Sequence, residues 1–262
     1  MRLSVLTAAV AGVAMIAGTA QAGILYTVRT SDDMLRAFDT NTLTFTNVGL
    51  LGTGFDFGDL AYNPNNQTMY MIPGRPTRNL YTVNLNTGAA TLVGAHNQID
   101  LFGLAWHPGR NTMYASQSTG AFGVHSINLN TGATTFIGNP GIGLDALTYD
   151  SRRGKLIGAF AGPGDLYEID PDTGAATLVY DGSFFDNCGM AYDADTDKIW
   201  MIDWSGVIYT FDPNNNYART TVLSGIGSHD GFAAITEIPG PAGLAILGLG
   251  LVARRNRRRT NA

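Results

Sequence analysis

Five aspartates recur along the chain in one kind of setting. Each follows an apolar residue or a histidine: Phe55-Asp56, Ile99-Asp100, Leu144-Asp145, Phe185-Asp186 and His229-Asp230, at intervals of 44, 45, 41 and 44 residues. Gathered at one mouth, five carboxylates would suit a hard cation such as Ca²⁺. Two of them at a set separation would suit the acid and second carboxylate of glycoside cleavage, or a lyase. The third use is structural, because a loop Asp accepts backbone N–H bonds from its own turn; the drift in the intervals favours it. No other chemistry is legible. There is no Ser/His/Asp constellation, HExxH or phosphate-cradling loop, and no Cys/His metal spacing among one cysteine, Cys188, and four histidines. No catalytic residue, metal site or required cofactor is assigned; Ca²⁺ is the one ion the oxygens would suit. Arg75 and Arg78 in the loop 73–79, and Trp204 in Asp203-Trp204-Ser205-Gly206, form a candidate ligand loop, since they have no counterpart in the other repeats.

The elements that must position these residues come from a repeat. A phrase of small, apolar, Ala, aromatic is clearest at Gly103-Leu104-Ala105-Trp106. It recurs around Leu60, Leu147 and Met190 and loosely at Phe232, stepping by 44, 43, 43 and 42 residues. Each period carries four short strand signals separated by polar turns, the size and content of a β-propeller blade. Between third and outer strands the turn reads Asn84-Leu85-Asn86-Thr87-Gly88, Asn128-Leu129-Asn130-Thr131-Gly132 and Asp170-Pro171-Asp172-Thr173-Gly174, with Asn216 replacing Gly in a fourth copy. The leading Asx accepts turn N–H groups, and Gly or Asn takes the positive φ. Tyr62, Trp106, Tyr149 and Tyr192 share one inner-strand position, as blade-to-blade packing requires.

The count closes at five blades. Residues 24–48 supply three strands (24–28, 34–39 and 42–48) and lack an inner one, while 231–236 supply an inner strand with nothing after it. The expectation is an all-β, five-bladed β-propeller over residues 23–238, its ring closed by the C-terminal strand completing the N-terminal blade, because closure hides sheet edges.

The ends read differently. Residues 1–22 have Arg2, an apolar run and Ala20-Gln21-Ala22, a secretory signal peptide cut between Ala22 and Gly23. Residues 239–262 hold Pro239-Gly240-Pro241, an apolar stretch and the cluster Arg254-Arg255-Asn256-Arg257-Arg258-Arg259. The stretch 242–253 would make a short membrane helix of about 18 Å, with the arginines held on the cytoplasmic side. This order resembles the PEP-CTERM sorting signal of Gram-negative exported proteins, with Gly240 where that family has Glu. The resemblance implies an exosortase-type protease acting near Pro239, Gly240 and Pro241, and a transient membrane anchor. Six of the 16 basic residues lie in the terminal segments and all 21 acidic ones between them, leaving the middle at −11. Such a domain repels phosphate backbones, so no nucleic-acid partner is expected.

The functional expectation is an exported, envelope- or matrix-associated propeller acting as a non-catalytic binding or structural module, with a polysaccharide as the ligand its aromatic and loop residues would suit. The alternative is a glycoside hydrolase- or lyase-like enzyme using carboxylates in the central channel.

Overall fold

The computed structural model describes residues 23–235; the signal-peptide reading of 1–22 and the sorting-tail reading of 239–262 lie outside the described residues. The described chain is a five-bladed β-propeller of twenty strands, four per sheet. Blade 1 holds β1 (Ile24–Arg29), β2 (Met34–Asp39) and β3 (Thr44–Leu50), with the last strand β20 (His229–Ala234) as its inner strand. Blade 2 runs β4 (Asp59–Asn63) to β7 (Ala90–Ala95), blade 3 β8 (Leu101–His107) to β11 (Thr134–Gly138), blade 4 β12 (Ala146–Asp150) to β15 (Ala176–Tyr180), and blade 5 β16 (Cys188–Asp193) to β19 (Ala218–Ser224). The closure read from the sequence is therefore present: β20 pairs antiparallel with β1, Leu25 opposite Ala234 and Thr27 opposite Phe232.

Each sheet is buried on both faces, so alternate side chains serve different neighbours. Leu80 packs with blade 3 and Val83 with blade 1. The apolar core is accordingly five wedge-shaped clusters, one at each blade-to-blade boundary. The third-to-outer pair of every blade carries a register shift near its upper end, which adds the twist that splays a blade outward.

The repeated turns have the expected caps. Asn84 Oδ1 accepts N–H bonds from Asn86 (2.9 Å) and Thr87 (3.1 Å), and Asp170 does the same for Asp172 and Thr173. Gly88, Gly132 and Gly174 have φ of 78°, 77° and 70°, and they do more than bend the chain. Each is pressed against a glycine on the outer strand of the preceding blade, Gly49, Gly94 and Gly138. A methyl group on Gly94 would lie 2.0 Å from the Thr131 carbonyl oxygen. In blade 1 the same turn position holds Leu43 at φ 54°, so residue 42 belongs to the turn and the outer strand starts at Thr44 rather than at residue 42.

Candidate functional site

The inner strands β4, β8, β12, β16 and β20 line the channel side by side. Aligned on Leu60, Leu104, Leu147, Met190 and Phe232, the five aspartates separate into two groups. Asp56, Asp100 and Asp186 stand four residues ahead of the anchor, Asp145 and Asp230 two ahead. Two strand residues span about 7 Å, so the five do not share a level, and the structure does not bring them into one ring. Asp145 and Asp230 are buried; Asp56, Asp100 and Asp186 are only half-buried at the upper rim.

Asp145 ties three blades together. Its Oδ1 accepts from Ser118 Oγ (2.5 Å, blade 3) and Asn187 Nδ2 (3.1 Å, blade 5), and its Oδ2 from the Ala161 N–H at 2.8 Å. Burial pushes its carboxyl upward against those three donors. Asp230 is completely buried; Oδ1 accepts the Gly231 N–H at 2.8 Å and Oδ2 has no hydrogen-bond partner among the described residues. Burial first, then repulsion from Asp59, Asp145 and Asp56, drives its carboxyl well above the ordinary range.

Asp59 is the carboxylate that the sequence reading passed over. It occupies the small position of the repeated phrase, where the other blades have Gly103, Ala146, Gly189 and Gly231. At the glycines the inner strands approach closely: a Cβ on Gly103 would lie 2.7 Å from the Ala146 carbonyl carbon, and one on Gly189 2.4 Å from the Gly231 backbone. Asp59 Oδ1 accepts the Leu60 N–H (2.8 Å) and the Phe232 N–H (3.1 Å), and its Oδ2 the Leu104 N–H at 2.9 Å. These are channel-facing N–H groups of the inner strands of blades 2, 1 and 3. An inner strand has no neighbour on its channel side, and a buried N–H without a partner is costly. Asp59 thus caps a sheet edge in three blades at once. Burial raises its carboxyl well above the usual range, opposed by these backbone donors. The signal for it was the one blade whose small residue is charged.

Above this acidic throat, the loop residues converge. Phe57 (blade 2) stacks on Trp204 (blade 5) with ring centroids 4.7 Å apart and planes at 22°, and lies 5.7 Å from Phe102 (blade 3). Blades 2 and 5 are not neighbours, since blade 1 lies between them, so this stack reaches across the mouth. The Arg75 guanidinium sits 4.1 Å from the Phe57 ring centroid and 5.5 Å from that of Phe102, with Nε 3.9 Å from Asp100 Oδ1. Arg75 N–H donates to the Asp56 carbonyl oxygen at 3.0 Å. Phe57 and Asp100 both adopt left-handed backbone, φ 56° and 48°. For a bulky residue such as Phe this conformation is strained, and held strain of this kind concentrates at binding and switch sites. The sequence reading chose Arg75 and Trp204 and missed Phe57, whose neighbours in the repeat gave it no distinction. Arg78 lies near His96: its carbonyl accepts the His96 N–H at 2.9 Å, and its charge adds to the burial that lowers His96 to about 4.

The lower end of the channel is lined by Tyr62, Trp106, Tyr149 and Tyr192, with a cavity of about 90 Å³. That is well below the roughly 300 Å³ at which small-molecule pockets begin. Tyr149 stacks on His107 at 4.2 Å, and Tyr192 Oη donates to Asp197 at 2.7 Å; the ring packs the fold, as its regular recurrence suggests. Cys188 is fully buried and its thiol is pushed well upward by burial, the reverse of what a reactive thiolate needs. Among the described residues no three Asp, Glu, His or Cys side chains form a metal-ligating group.

No family model matches the chain, and no curated protein matches it by sequence. Solved structures match in shape. A chain from the crystal structure of a nidogen/laminin complex gives a TM-score of 0.56 at 13% identity, over 80% of this chain and 81% of that one. A structural-genomics protein of unknown function from Bacteroides thetaiotaomicron gives 0.56 at 20% identity, over 80% of this chain and 57% of that one. TolB from Acinetobacter baumannii gives 0.51 at 16% identity, over 83% and 67%. At these identities the likeness is one of propeller fold alone.

Proposed function

We propose that the protein is a non-catalytic binding module of the cell envelope or extracellular matrix, and that it engages a polysaccharide at the upper mouth. The observation that carries this is the Trp204–Phe57–Arg75 stack. Two non-adjacent blades, 2 and 5, supply it, Phe102 of blade 3 flanks the Arg75 guanidinium, and the stack spans the channel with Phe57 in left-handed backbone. Aromatic faces next to a half-exposed guanidinium and the carboxylate of Asp100 offer stacking and polar contacts of the kind sugars use. Phe184 and Ile99, 68% and 53% exposed on loops of the same face, widen the apolar surface. The buried carboxylates support a non-catalytic reading. Asp59 and Asp145 have both oxygens committed to donors of the fold, and Asp230 is sealed from solvent.

Tryptophan emission titrated with a panel of acidic and neutral polysaccharides tests this. Trp204→Ala is expected to weaken binding by tenfold or more while leaving the fold unchanged. Saturable binding indifferent to Trp204→Ala and Arg75→Ala would move the site elsewhere; turnover lost in Asp100→Asn/Asp145→Asn would replace the module with a hydrolase or lyase. Melting temperature against millimolar Ca²⁺ decides the cation question. The proposal extends to the address: export by the general secretory route with cleavage between Ala22 and Gly23, and sorting at Pro239, Gly240 and Pro241 by an exosortase-type protease. Terminal sequencing of the protein recovered outside the cytoplasm checks both cuts.

A further inference from the structure

The lower ends of the inner strands of blades 4 and 5 differ in one respect. Each ends in a buried aspartate, Asp150 and Asp193, at the same place in the strand pair, opposite Lys155 and Lys198. Asp150 has a counter-ion three residues on: Arg153 Nη1 lies 2.8 Å from its Oδ2. The matching residue in blade 5 is Thr196, whose hydroxyl donates to Asp193 Oδ2 at 2.7 Å, with the Asp195 N–H donating to Oδ1 at 3.1 Å. Neither brings charge. The cations at this end are engaged elsewhere, Lys198 with Asp212 (2.6 Å) and Arg152 with Asp197 (3.2 Å). Among the described residues no cation pairs with Asp193, which is 3% exposed. A buried carboxylate without a counter-ion is unfavourable.

Gly23 fills the gap. A Cβ built on it would lie 2.7, 2.9 and 2.9 Å from Asp193 Oδ2, Cγ and Oδ1, which puts its backbone nitrogen within about 5 Å of the carboxylate by bond geometry. Its carbonyl is clamped by Thr40, which donates from N–H (3.2 Å) and hydroxyl (3.1 Å). A side chain at this position would press on the carboxylate and force it to move. Gly23 is also the residue that the Ala20-Gln21-Ala22 pattern makes the first of the processed chain.

We infer that removal of residues 1–22 creates the missing counter-ion: the α-ammonium of Gly23 pairs with Asp193 and locks the seam between blades 5 and 1. An amide nitrogen becomes a charged donor, free to turn about the Cα–C bond while Thr40 holds the carbonyl. Processing would then stabilise the ring as well as release it. This inference rests on the export reading for the cut to occur, and its physical content can be tested without export.

Two chains with the same C-terminus are compared by thermal melting at pH 7, one beginning at Gly23 and one at Gln21, each freed from a removable tag. The Gly23 form is expected to melt higher by roughly 4 °C or more, and the difference is expected to vanish when Asp193→Asn is introduced into both. Equal melting temperatures, or a difference that survives Asp193→Asn, overturns the pairing. Terminal sequencing of the exported protein separately reports the cut. A start other than Gly23 would end the processing role, and the two melting curves would still decide whether the ammonium and Asp193 interact.

Discussion

Replacing Asp59 with alanine removes the acceptor of three backbone N–H groups on three different inner strands. Alanine fits sterically, because Ala146 occupies the corresponding place in blade 4. Each buried donor left without a partner costs about 1–3 kcal/mol. Part is returned by no longer burying a carboxyl whose ionisation is disfavoured there, and by water that can enter the vacated throat. The net loss is expected to be about 3–5 kcal/mol, a melting-temperature drop on the order of 10 °C for a domain of this size. Urea unfolding followed by circular dichroism measures it. Asp230→Ala provides the contrast within the same channel. That side chain is equally buried, yet it serves only the next residue's N–H and leaves one oxygen unpartnered, so its removal is expected to be near neutral or stabilising. A loss below about 1 kcal/mol for Asp59→Ala, or equal losses for the two variants, would refute the view that Asp59 holds the inner strands together.

Two further outcomes follow from the packing and the charges. Gly94→Ala would place a methyl against the Thr131 carbonyl and is expected to cost 2 kcal/mol or more by roughly the scale of overpacking; Gly120→Ala, at φ 76° in open space, is expected to cost about 1 kcal/mol from backbone conformation alone, and comparable urea midpoints would contradict the close-approach role. His229 is held neutral by burial, down to about 4, with Nδ1 on the Gly227 carbonyl and Nε2 facing Arg36 Nη1 at 3.0 Å. The unfolded chain binds the proton first, so stability falls as pH drops from about 6.5 toward 4, by about 2 kcal/mol at pH 5 for this one group; His229→Phe should flatten that part of the profile, and an unchanged slope between pH 7 and 5 would count against it.

Blade number, strand order and ring closure were legible because a 43-residue beat and its orphaned final strand are properties of the chain read end to end. The Asx turns were legible because donor and acceptor are two or three residues apart. The throat was not. Asp59 reaches Phe232 over 173 residues, and no local pattern reports such a bond, although the single charged residue at a small position was a mark of it. The glycines at 49, 94 and 138 were hidden for a related reason: what they touch belongs to the next blade. In the upper site Arg75 and Trp204 stood out as departures from the repeat. Phe57 did not, since its role depends on a left-handed backbone and on a partner two blades away.

The pairing of β20 with β1 also sets an order in time. β1 is made near the beginning of the chain and its inner partner near the end, so blade 1 holds an unpaired edge until almost the whole propeller has been synthesised. Joining ends about 200 residues apart costs on the order of 5 kcal/mol in chain entropy if nothing lies between them, and far less once blades 2 to 5 have stacked and carried β20 to its place. Closure is therefore expected to follow the stacking of blades 2 to 5, and non-local pairing of this kind is generally slow. Until then the edge of β1 can accept a strand from another molecule. The same contact that finishes the ring defines the interval during which the chain is vulnerable.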